Sequence, residues 1–111
     1  MVTQTVKVMD YNTIKWEDYL ELNTNSPTGL IYKRDRRNGR SSTFVKGSIA
    51  GKESSHNNGW YVNNKGDYYK VHRIIWYLAN GSIDLFSEVL HKDGNSFNNN
   101  LNNLLLKEMH E

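Results

Sequence analysis

The sequence predicts a small α+β domain with two short helices, an antiparallel β segment and a terminal ββ hairpin. Three observations lead there. A chain of 111 residues suits one core rather than several. Apolar residues recur at helical spacing in two places, before Asn23 and after Lys70. The remainder alternates short β-branched and aromatic runs with Gly- and Asn-rich turns. Hydrophobic residues make up 37% and charged ones 23%, a balance that can bury a core. With no cysteine, a disulfide scaffold, a thiolate zinc site and a thiol nucleophile are all excluded. No apolar stretch approaches the ~20 residues that cross a bilayer, and the start lacks a signal core, so a cytoplasmic protein without membrane contact is expected.

The chain divides into 1–28, a helix and turn; 29–71, a basic β segment; and 72–111, a helix plus hairpin, all within one domain of 1–111. Ile14, Trp16, Tyr19, Leu20 and Leu22 predict a helix over roughly 13–22, capped by Asn12 or Thr13. Asn23 to Gly29, around the single proline Pro27, is a turn. Leu30-Ile31-Tyr32 reads as a strand running into the basic stretch 33–40. Trp60-Tyr61-Val62 and Tyr68-Tyr69-Lys70-Val71 flank turn residues 63–67, a hairpin whose aromatics fit cross-strand packing. His72 to Asn80 reads as a helix stopped by Gly81, with Ile74, Ile75 and Leu78 as its buried stripe. Glu88-Val89-Leu90-His91 and Leu104-Leu105-Leu106 are strands joined by the Asp93-Gly94-Asn95 turn and an asparagine-rich connection.

The net charge of +2 conceals an uneven distribution. Residues 32–83 carry ten basic and three acidic groups, while both ends are mildly acidic. Such a local excess points to a polyanionic partner. Candidate phosphate contacts are Lys33, Arg34, Arg36, Arg37 and Arg40, then Lys46, Lys52, Lys65, Lys70 and Arg73.

The segment Tyr69-Lys70-Val71-His72-Arg73-Ile74-Ile75-Trp76, then Asn80-Gly81, then Val89-Leu90-His91-Lys92-Asp93-Gly94-Asn95 through Leu104, resembles the small HNH endonucleases of phages and mobile introns. Lys46 to Gly51 followed by Gly59-Trp60-Tyr61-Val62 is similar to that family's glycine-marked β segment, so the resemblance covers about residues 30–106. It implies a ββα unit around one divalent metal. By the same resemblance His91 takes the general-base position and Asn103 supports the loop and orients it. His72 is expected to be structural.

The sequence departs from the family pattern at Leu90, where an aspartate usually ligates the metal. The usual later ligand would fall near the last residue, Glu111, so most of the closing helix is expected to be missing. Asp93 and His110 are the foremost substitute ligands, with Glu88 and Glu111 behind them. The expectation is a family member that has lost its metal ligands. It would need no cofactor and bind DNA or a nucleic-acid-processing protein complex, even as an inhibitor of a host nuclease, restriction or CRISPR system in the host cytoplasm. The alternative is an active nicking or homing endonuclease using His91 with Mg²⁺ or Mn²⁺. Apolar surface from Val89, Leu90, Leu104 and Leu106 would then favour a partner or a homodimer.

Overall fold

The computed structural model describes residues 10–38, 42–54, 59–64 and 67–107. Arg40, Lys65, Glu108, His110 and Glu111 lie outside the described residues. The architecture is α+β, with one α-helix and nine short strands among those residues.

The first segment differs from the expected helix over 13–22. Two 3-10 turns, Tyr11–Thr13 and Trp16–Asp18, lead into strand β1, Leu20–Leu22. Asp10 rather than Asn12 or Thr13 caps the first turn, its carboxylate accepting from the Asn12 N–H at 3.0 Å. Tertiary pairing overrides the helical spacing here. Strand β1 runs antiparallel to β2, Leu30–Tyr32, with Leu20 opposite Tyr32 and Leu22 opposite Leu30. Trp16 is held by its indole N–H, which donates to the Tyr11 carbonyl at 3.0 Å, and its ring meets Tyr69 edge-on at 5.0 Å.

Strands β3 (Arg36–Asn38) and β4 (Ser42–Phe44) form a second ladder. Three strands follow, β5 (Lys52–Ser54), β6 (Gly59–Asn64) and β7 (Asp67–Lys70), antiparallel throughout, with β6 central. The β6–β7 pair is the hairpin the aromatic runs predicted, with Val62 opposite Tyr69. Helix α1, Val71–Asn80, follows without a break and ends at Gly81, whose φ of 84° lets its N–H reach the Tyr77 carbonyl. Val71, Ile74, Ile75 and Tyr77 form its buried face, with Leu78 partly covered.

Strands β8 (Glu88–His91) and β9 (Leu104–Lys107) pair in full register, His91 opposite Leu104. Period-two alternation sends Val89 and Leu104 into the cluster that also holds Trp16, Leu30 and Ile74. Both are therefore buried, contrary to the expected exposed surface; Leu90 and Leu106 are half-buried, and Leu105 on β9 and Leu101 in the connection are exposed.

Candidate functional site

The β8–β9 hairpin frames a twelve-residue connection, and the connection is built by its own side chains. Asp93 accepts from the Asn95 N–H, Asn95 from Phe97, Asn98 from Asn100 and Asn100 from Asn102. These are successive Asx turns, in which a short polar side chain satisfies the backbone two residues on. The asparagine-rich stretch thus has a structural purpose. Asn103 closes the loop: its amide nitrogen donates to Asp93 Oδ1 and to the Asn98 carbonyl, both at 2.9 Å, and its Oδ1 accepts from the Asp93 N–H at 3.1 Å. Hydrogen bonds from Asn98, Asn95 and Asn103 hold the Asp93 carboxyl at about 2, well below its ordinary value.

His91 stands at the end of β8, half-buried. Its Nε2 lies 2.8 Å from Oδ1 of Asn99, a buried residue whose amide nitrogen donates to the Thr28 carbonyl at 3.2 Å. The side-chain bonds of Asn103 stay within the loop, and the side chain hydrogen-bonded to His91 is Asn99. Neither Asn99 nor Thr28 stood out in the sequence. They are 71 positions apart, and nothing in their spacing announces the contact.

His72, on the first turn of α1, places its ring 4.8 Å from that of His91. Burial pushes its pKa down to about 3, with smaller contributions from His91, Lys70 and Arg73, so it is neutral at ordinary pH. Arg73 is turned inward: it donates to the carbonyls of Ser87 and Asp84 and lies over the Tyr11 ring at 5.1 Å. It ties α1 to the approach of β8.

Trp60 links the loop to the central sheet, its indole N–H donating to the Phe97 carbonyl at 3.1 Å and its ring meeting Phe97 edge-on. A cavity of about 340 Å³ opens beside this loop, between the 22–29 turn and Phe97, Asn99 and Leu101.

The remaining cations are distributed over several elements. Lys33 donates to the Glu17 carbonyl, and Arg34, Lys46, Lys52 and Lys70 are exposed. Arg36 and Arg37 sit on β3. Lys52, Tyr61 and Lys70 are direct cross-strand neighbours on β5, β6 and β7, and therefore share one face of the sheet. Tyr68, on that same face, is exposed and meets the Tyr61 ring edge-on at 4.9 Å.

Among the described residues, no group of three or more His, Cys, Asp or Glu side chains converges on a point that could hold a metal ion. The donors around His91 are an imidazole and an amide bonded at both atoms, and its chain neighbour Leu90 brings no donor. Among the described residues, this set does not fit a hard divalent cation, which takes oxygen ligands. Asp93, a candidate ligand, has its carboxylate engaged by the loop.

The site therefore consists of a helix followed by a two-stranded hairpin, with a half-buried histidine at the strand end and a hydrogen-bonded asparagine loop beyond it. Residues 69–111 match the family model of the HNH endonuclease, so that the C-terminal segment of this chain is similar to HNH-type endonucleases. No curated protein and no solved structure gives a significant match. No helix among the described residues is long and apolar enough to cross a membrane.

Proposed function

We propose that this single-domain protein binds nucleic acid through the basic β segment, having kept the HNH scaffold while losing the ligands for a hard metal ion. The observation that carries the binding reading is the row Lys52–Tyr61–Lys70, with Tyr68 against Tyr61. Two cations flank an aromatic platform, which matches phosphates on either side of a sugar and base. Lys70 also links this face to the histidine pair, since its charge acts on His72. The exposed Arg34 and Lys46 would add further positive charge. The Leu90 substitution and the engaged Asp93 carboxylate support the loss of a hard-metal site.

The test is fluorescence anisotropy of a labelled DNA duplex across a salt series. Affinity should fall steeply with salt, and replacing both Lys52 and Lys70 by alanine should reduce the log–log slope by about 1.8. Salt-independent binding, or none, overturns this reading. An acidic protein partner captured in its place would instead favour a nucleic-acid-processing complex, with an inhibitor role as its strongest form.

A second reading, cleavage, is favoured by one specific observation: His91 has one ring nitrogen fixed by Asn99. In that reading a water proton passes to His91 while the water oxygen bonds to phosphorus. The bond to the leaving oxygen breaks, and solvent supplies that oxygen's proton. Plasmid nicking with Mg²⁺ or Mn²⁺, lost in EDTA and in His91→Ala, would establish it. Absence of nicking by folded protein would leave binding alone.

A further inference from the structure

We infer that Asn99 is a positioning residue that fixes which nitrogen of His91 carries a proton, and that the N-terminal turn at Thr28 holds Asn99 in place. The consequence for proton transfer rests on reading His91 as a proton acceptor; the tautomer itself does not.

Donors and acceptors decide which way the Asn99 amide faces. A side-chain amide offers one accepting oxygen and one donating nitrogen. The Thr28 carbonyl can only accept, so the Asn99 nitrogen must face it and the Asn99 oxygen must face His91. That oxygen in turn can only accept, so Nε2 of His91 carries the proton. A neutral imidazole has a single N–H, which leaves the lone pair on Nδ1. Rotating the amide would set oxygen against oxygen at Thr28, in a place where neither group can turn to water.

Thr28 is itself immobilised. Its hydroxyl donates to the Ala50 carbonyl at 2.6 Å and accepts from the Leu30 N–H at 3.2 Å. The next residue, Gly29, has a φ of +89°, and a Cβ there would stand 2.8 Å from Ile75 Cδ1 and 3.3 Å from the Asn99 carbonyl. The loop seats on the turn because position 29 is a glycine. The chain thus runs from Ala50 through Thr28 and Asn99 to His91, and its first half lies outside the 69–111 segment that carries the family pattern. The N-terminal turn is therefore part of the site. Asn103 does not replace Asn99 in this, because its side-chain bonds go to Asp93 and Asn98.

The test is long-range ¹H–¹⁵N correlation of the histidine rings in the full chain at mildly alkaline pH, with His91 assigned through His91→Gln. The expected result is a single tautomer for His91, protonated at Nε2, whose ring proton exchanges slowly with water. In Asn99→Leu that proton should exchange at least tenfold faster and the second tautomer should appear, whereas Asn99→Asp, which still offers an accepting oxygen, should keep Nε2 protonated. A mixture or an Nδ1–H tautomer in the native chain overturns the inference, and that spectrum needs no variant to fold. Equal exchange in native and Asn99→Leu overturns it as well. Plasmid nicking on the same samples separates the two readings: a fixed tautomer without cleavage refutes the endonuclease reading and upholds the positioning role, while cleavage with mixed tautomers does the reverse.

Discussion

Acid should destabilise this protein through His72. The ring is held against His91 and largely removed from water, and its pKa in the folded chain falls from 6.5 to about 3, chiefly by desolvation of the charged form. A depressed folded-state value means that the unfolded chain takes up the proton first as pH falls. The contribution is therefore complete above the unfolded pKa, declines as pH drops through the window from 6.5 to about 3, and declines no further below it. At roughly pH 4.5 the gap amounts to two units, or about 2.7 kcal/mol at 1.36 per unit, and about 2 kcal/mol once the ring's residual contact with water is allowed for. Urea unfolding followed by tryptophan fluorescence near neutrality and near pH 4.5 reads this directly. The native chain should lose about 2 kcal/mol more than His72→Gln, whose side chain does not titrate. Equal losses, or a His72 ring that titrates near its ordinary value, would refute the reasoning.

Gly29→Ala should cost about 1–2 kcal/mol from the left-handed backbone, and more from the contact with Ile75 and Asn99. Gly81→Ala, with a similar φ of +84° and open space around it, should cost only the conformational part in a thermal melt. Asp93, whose folded pKa is also depressed, stabilises the loop above its ordinary value of 3.8 and loses that contribution as pH falls toward 2; the Asn98 and Asn103 side-chain amide signals of the folded chain should move toward free values only as pH approaches about 2. Arg73→Gln should destabilise the fold by about 1.5–3 kcal/mol through its lost charged hydrogen bonds, yet leave the salt dependence of DNA binding unchanged.

Local chemistry made part of this protein legible in one dimension. Helix α1 was readable because Ile74, Ile75 and Leu78 repeat at helical spacing and Gly81 supplies the left-handed stop. Strands β8 and β9 were readable as apolar runs on either side of a turn, and the family pattern around His91 marked the segment that matches HNH endonucleases. The first segment misled because Trp16 and Leu20 satisfy helical spacing while their real partners, Tyr11, Tyr69 and Tyr32, lie elsewhere in the chain.

Sequence by itself therefore determined the α+β class, the likeness of residues 69–111 to HNH endonucleases, the strand that ends at His91 and the basic middle, because each depends on neighbouring residues or on composition. Tertiary structure alone decided which groups face one another. Arg73 turned to backbone carbonyls, Lys52 and Lys70 came to flank Tyr61, and Asn99 came to join His91 to Thr28. A hydrogen bond between residues 71 positions apart is specified only when the whole chain folds and a glycine leaves room for the loop to settle.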